Sequence, residues 1–132
     1  MKIYVGMALT QAPQEFREDF QKELKDMLRS IEGVEVMDFV GLQGSTAGKV
    51  YSYDRNCTET ADLCVFIADY PSIGLGMEIM IRHFAQKPML VCARANISVT
   101  RMLTGMCIEE DIQYFSYTTV VNIVDRVKAE IK

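Results

Sequence analysis

The chain has 132 residues, 49% of them hydrophobic and 24% charged, with three prolines and eight glycines, the composition of an ordinary globular domain. A chain this long buries roughly 65–70% of the surface its unfolded form exposes, enough for one self-supporting domain over its whole length without a disulfide or structural metal. Fourteen Lys and Arg against eighteen Asp and Glu leave a net charge of −4, which argues against a nucleic acid polymer as partner, because such a surface would not neutralise a phosphate backbone.

Residues 2–8 read as a buried first strand, with Tyr4 in its middle and Gly6 near its end. The N-terminal stretch meets Pro13 and charged residues before an apolar signal-peptide core forms, and the longest apolar runs, such as LCVFIA at 63–68, fall far short of the roughly 20 residues that span a bilayer. The expectation is a cytoplasmic protein with no membrane partner. From 13 to 30 the apolar residues Phe16, Phe20, Leu24, Met27, Leu28 and Ile31 recur at helical spacing, and Gly33 follows as a stop. A second strand is predicted over 34–40. A loop of small residues, LQGSTAG, then leads to a helix over about 49–60.

LCVFIA has the pattern of a central strand covered on both faces. After DYPSIGLG a third helix is expected from about Leu75, with Met77, Ile81, Phe84 and Ala85 turned inward, ending before Pro88. PMLVCA opens a fourth strand, Ser98 is a candidate cap of a short helix, IQYFSY at 112–117 is a fifth strand, and a last helix from Thr118 carries Val121, Val124, Val127 and Ile131. Alternating strands and helices predict an α/β fold, a single-domain, flavodoxin/Rossmann-like three-layer sandwich around a five-stranded parallel sheet. In such sheets ligands sit beyond the carboxyl ends of the strands, at the point where the strand order reverses.

Two glycine-rich segments invite a phosphate reading and both fall short. GSTAGK at 44–49 lacks the glycine expected at Gln43 and has Val50 where a phosphate loop has Ser or Thr. SIGLG at 72–76 follows the third strand rather than the first and lacks the dinucleotide spacing. Cys57, Cys64, Cys92 and Cys107 form no C-x-x-C pair, so neither a metal nor another cofactor is expected.

Glu78 carries more information. Gly74 and Gly76 permit close approach of a ligand, and with a helix starting at Leu75, Glu78 falls in its first turn, where amide dipoles favour an anion. A lone glutamate there would ordinarily just complement the dipole on a solvated face. Asp54 leads into the same strand, so two carboxylates can face one cleft, one ionised for attack and one protonated for a leaving group, as retaining glycosidic cleavage requires. Asp54 alone could be an N-cap residue, and a lone tyrosine such as Tyr4 is more often core. His83, five residues beyond Glu78 and about 140° round the helix, is a poor partner for it.

These residues resemble the nucleoside 2-deoxyribosyltransferase superfamily, which includes 2′-deoxynucleoside 5′-phosphate N-hydrolases. The resemblance spans nearly the whole chain and rests on KIYVGMA at 2–8, on Asp54 followed eight residues later by Asp62 and an apolar strand, and above all on PSIGLGMEI at 71–79. It implies Glu78 as a nucleophile toward C1′ of deoxyribose, Asp54 as the group protonating the departing base, and Tyr4 as the residue positioning the nucleophile. It further implies a substrate site that includes Gly6, Ser72, Gly74, Gly76, Ser98 and Thr100, a deoxynucleoside or deoxynucleotide as small-molecule partner, and a homodimer or higher homo-oligomer. Ser72 resembles the serine of the phosphate-recognising hydrolases. Ala8 and Thr10 stand where those hydrolases carry a serine and an arginine, and the C-terminal asparagine segment of the transferases has no evident counterpart. The implied activity is N-glycosidic cleavage with water as acceptor; base exchange and a catalytically inactive nucleotide-sensing module are the alternatives.

Overall fold

The computed structural model describes residues 1–38 and 45–131. Five parallel strands, β1 (Lys2–Met7), β2 (Glu35–Met37), β3 (Leu63–Ile67), β4 (Met89–Arg94) and β5 (Gln113–Tyr117), form one sheet in the order β2-β1-β3-β4-β5. The expected α/β sandwich is therefore the observed fold. Strand order reverses between β1 and β3, where Tyr4 pairs in register with Cys64, so the switch point lies beside Tyr4.

Alternation along β1 sorts its side chains between two cores. Ile3, Val5 and Met7 point into a core with Leu24 and Leu28 of α1 (Gln21–Arg29) and Ile123, Val124 and Val127 of α5 (Val120–Ile131). Tyr4 points to the opposite face, among Cys57 of α2 (Ala47–Thr60), Leu75 and Ile79 of α3 (Ile73–Phe84) and Cys107 of α4 (Arg101–Glu109). Gly6 shares that face, and a Cβ there would stand 2.6 Å from the Phe66 ring; its hydrogen lets β1 pack directly on that ring. All four cysteines are buried free thiols.

Several boundaries differ from the sequence expectation. A π-helical segment, Glu15–Phe20, precedes α1 and stacks Phe16 on Phe20 at 5.2 Å. Phe39, Val40 and residues 41–44, part of the predicted strand and loop, lie outside the described residues. Thr100, not Ser98, caps α4, because its hydroxyl accepts the Met102 amide at 3.3 Å. In α5 the buried set includes Val120 and Ile123, while Val121 is exposed.

The largest correction concerns α3. Ser72 is extended and its Oγ accepts the Leu75 amide at 3.2 Å, so the helix starts at Ile73, and Glu78 falls in the second turn, beyond the reach of the terminal amides. The inward face is also different. Leu75, Glu78, Ile79 and Arg82 are buried, whereas Met77 and Phe84 are exposed and Ile81 and Ala85 are only partly covered. Two charged residues displace apolar ones from the interior because the neighbouring elements satisfy every hydrogen-bonding need of Arg82 and supply donors to Glu78.

Candidate active site

Tyr4, Asp54 and Glu78 converge in the layer formed by β1, α2 and α3. The Tyr4 hydroxyl donates to Glu78 Oε2, and Thr58 Oγ1 approaches the same oxygen at 3.5 Å. Glu78 Oε1 accepts no hydrogen bond from the described residues. Asp54 lies in the middle of α2 and is not a cap. Its Oδ1 is buried with no hydrogen-bond partner among the described residues, an arrangement that natural structures rarely leave unexplained.

Burial sets the protonation of this group. Removal from water is the main cause lifting the Glu78 carboxyl to about 7, with the charge of Asp54 adding to it, while the Tyr4 and Thr58 hydroxyls pull the other way. Asp54 is pushed up to about 6 by burial. The helix dipole expected to hold Glu78 ionised is thus outweighed by desolvation, and its anion rests chiefly on the Tyr4 hydroxyl, the Thr58 hydroxyl lying 3.5 Å from it and 2.7 Å from the Asp54 carbonyl. Burial, followed by the charge of Glu78, drives the Tyr4 phenol far above its ordinary range, so it remains a donor.

The remaining predicted residues fall into separate places. Ser72 and Gly74 line a cleft of about 320 Å³ with Ala8, Thr10 and Gln11 at the carboxyl ends of β1 and β3. Tyr4, Asp54 and Glu78 are not among the described residues that line it. Ser72, Gly76, Ser98 and Thr100 line a second, mainly apolar cavity of about 340 Å³ between α3 and α4. Gly6 faces Phe66 and Leu75. His83 points elsewhere, 3.7 Å from Glu110.

No family model matches the chain, and no curated protein sequence matches it. Solved structures do. A CMP N-glycosidase of Clostridium botulinum superposes with a TM-score of 0.76 at 14% identity, covering 98% of this chain and 99% of that one. The likeness establishes the fold. A conserved protein of Enterococcus faecalis gives 0.69 at 14% identity, covering 98% of each chain. A 2-desoxiribosyltransferase of Leishmania mexicana gives 0.68 at 12% identity, covering 94% of this chain and 97% of that one.

Two residues of this constellation escaped the sequence reading. Thr58 lies four residues after Asp54 and Arg82 four after Glu78, so each shares a helix face with a carboxylate. That spacing was a usable signal. Arg82 is fully buried and bonds to carbonyls only: Nε to Pro88 O at 3.1 Å, Nη1 to Thr58 O and Ala61 O at 3.0 and 2.8 Å, Nη2 to Asp62 O and Pro88 O at 3.2 and 2.8 Å. It satisfies carbonyls at the end of α2 that no further helical turn can reach.

Proposed function

We propose that the chain cleaves the N-glycosidic bond of 2′-deoxyribonucleosides or their 5′-monophosphates through a covalent deoxyribosyl ester on Glu78. The observation that carries this reading is a buried Glu78 carboxylate whose Oε2 takes the Tyr4 hydroxyl bond and the 3.5 Å approach of Thr58, interacting electrostatically with a second carboxyl, Asp54, whose buried Oδ1 has no partner among the described residues. Burial lifts Glu78 to about 7 and Asp54 to about 6, so in the free chain the pair's proton favours Glu78. The proposed reaction uses the other arrangement, Glu78 ionised against the Tyr4 hydroxyl and the proton on Asp54, whose Oδ1 has no donor among the described residues.

In the first step Glu78 Oε1 bonds to C1′ as the C1′–N bond breaks; its electron pair goes to the base, and the Asp54 proton follows it. In the second, Asp54 takes a proton from water, the water oxygen bonds to C1′, and the ester bond returns its electrons to Glu78. This reading is supported by structural likeness to proteins named as an N-glycosidase and a deoxyribosyltransferase. Base exchange differs only in the second acceptor.

Neither cavity beside the start of α3 contains a lysine or arginine among its lining residues. A 5′-phosphate would be held by hydroxyls and helix amides alone, which favours nucleosides over nucleotides; a nucleotide-sensing module without turnover is the alternative from another class. The site is further proposed to act within a cytoplasmic homo-oligomer. Ile73, Met77, Met80 and Phe84 leave an exposed apolar stripe along α3 beside Met102 of α4, a surface that a second copy would cover.

The test is incubation with a panel of deoxynucleosides, their monophosphates and CMP, with and without a free base, followed by chromatography for released base or exchanged nucleoside. Base release that vanishes in Glu78→Ala supports the assignment. Full turnover in that variant contradicts it, and ligand-induced thermal shifts without base release would favour the sensing module.

A further inference from the structure

Thr58 is completely buried, and nothing in its surroundings is left to chance. Its hydroxyl reaches the Asp54 carbonyl of its own helix at 2.7 Å and Glu78 Oε2 at 3.5 Å. Its carbonyl receives Arg82 Nη1 at 3.0 Å and the Cys64 thiol at 3.6 Å. Arg82 stands one turn beyond Glu78 on α3, so the guanidinium that pins the Thr58 peptide belongs to the same rigid helix as the carboxylate that Thr58 approaches. The two helices are thereby locked in register at one residue.

We infer that Thr58 is a positioning residue for Glu78: with its peptide held by Arg82, its hydroxyl approaches Oε2 and fixes the rotation of the carboxyl. A hydroxyl has one hydrogen and spare lone pairs, so it can partner either state of the carboxyl. Toward the anion it donates. Toward the neutral acid it accepts, while its own hydrogen returns to the Asp54 carbonyl. An apolar side chain of the same shape could do neither. The inference deepens the proposed reading of Glu78 as the reacting carboxylate and rests on it.

Other groups also face Glu78: Tyr4 from β1, Asp54 and Cys57 from α2, and Cys64 from β3. The experiment must therefore change Thr58 alone. Side-chain carboxyl NMR on chain carrying ¹³C-labelled glutamate, with Glu78 assigned from the signal lost in Glu78→Gln, reads its titration directly in wild type, Thr58→Val and Thr58→Ser. Valine keeps the shape and removes the hydroxyl. Its expected effect is an upward move of the Glu78 titration by about half a pH unit or more, with serine returning it toward wild type, because a donor to the anion has been removed and then restored. In turnover assays Thr58→Val should lower kcat/KM about three- to tenfold at pH 6, with a smaller loss at pH 8.

Arg82→Met should move the Glu78 titration in the same direction, and adding Thr58→Val to it should move it no further. Should Arg82→Met fail to fold, the two Thr58 variants decide the matter. An unmoved Glu78 titration in Thr58→Val overturns the positioning role even in an active enzyme. A wild-type protein that releases no base, yet shows the valine shift and serine rescue, instead overturns the glycosidase reading and leaves the contact established.

Discussion

Tyr4 and Glu78 stand 74 positions apart in the chain, and the phenol of one donates to the carboxylate of the other in the interior of the protein. The bond joins the middle of β1 to the second turn of α3 across the switch point of the sheet. A tyrosine whose own ionisation is suppressed by burial is a fixed donor, so it biases Glu78 toward the anion at every pH where the protein is folded.

Tyr4→Phe keeps the ring and removes that donor. The Glu78 carboxyl, already near 7, should then titrate higher still, and the acidic limb of the pH–rate profile should move up. Activity is expected to fall about 10–100-fold at pH 6 and less at pH 8. A full profile of kcat/KM on the best substrate checks this.

Asp54→Asn removes the proton donor without changing shape. Loss of about 10²–10⁴-fold is expected with natural bases, which need protonation to leave. An activated leaving group that departs as a stable anion should suffer far less. The ratio of the two losses, measured as kcat/KM, isolates the acid role.

The stability of the fold should carry the signature of Glu78. Its carboxyl titrates near 7 in the folded chain against an ordinary 4.5, so the folded form binds the proton more tightly. That contribution is fully present below about pH 4.5 and is lost as pH rises through 7. Glu78→Gln stays neutral throughout. Its melting temperature should match wild type at pH 4 and exceed it at pH 8, with a gain on the order of 2–3 kcal/mol in unfolding free energy.

Gly6→Ala separates a packing role from a substrate contact. The new methyl would meet the Phe66 ring at 2.6 Å inside the core, and overpacking of this kind costs about 1–3 kcal/mol. Chemical denaturation should show that loss. Substrate affinity in the fraction that remains folded should be unchanged.

The exposed stripe on α3 gives a test of assembly. Met80→Glu with Phe84→Glu places charge on it without touching the buried face of the helix. Light scattering should show wild type as a dimer or larger and the double variant as a smaller species. A monomeric wild type removes the oligomer from the proposal.

Much of the fold was legible because short, continuous apolar runs rich in branched and aromatic residues, such as 63–68, have the pattern of central strands, and because helices and strands alternate along the chain. The α3 face was misread for a physical reason. Hydrophobic periodicity assumes that charges point outward, and here Glu78 and Arg82 point inward while Met77 and Phe84 remain in solvent. Such an inversion depends on partners drawn from other elements, namely Tyr4, Thr58 and the carbonyls at the end of α2. A pattern local to one helix carries no record of them.

The sequence by itself determined the α/β class, the order of elements and the pairing of Asp54 with Glu78 as candidates, since these follow from residue type and short-range spacing. Only the tertiary structure decided what those carboxyls experience. Desolvation, not the start of a helix, governs Glu78, and Thr58 and Arg82 enter its surroundings from positions 20 residues before it and one turn beyond it. Burial and hydrogen bonding belong to the packed chain, because both depend on which distant segments come to exclude water from the same point.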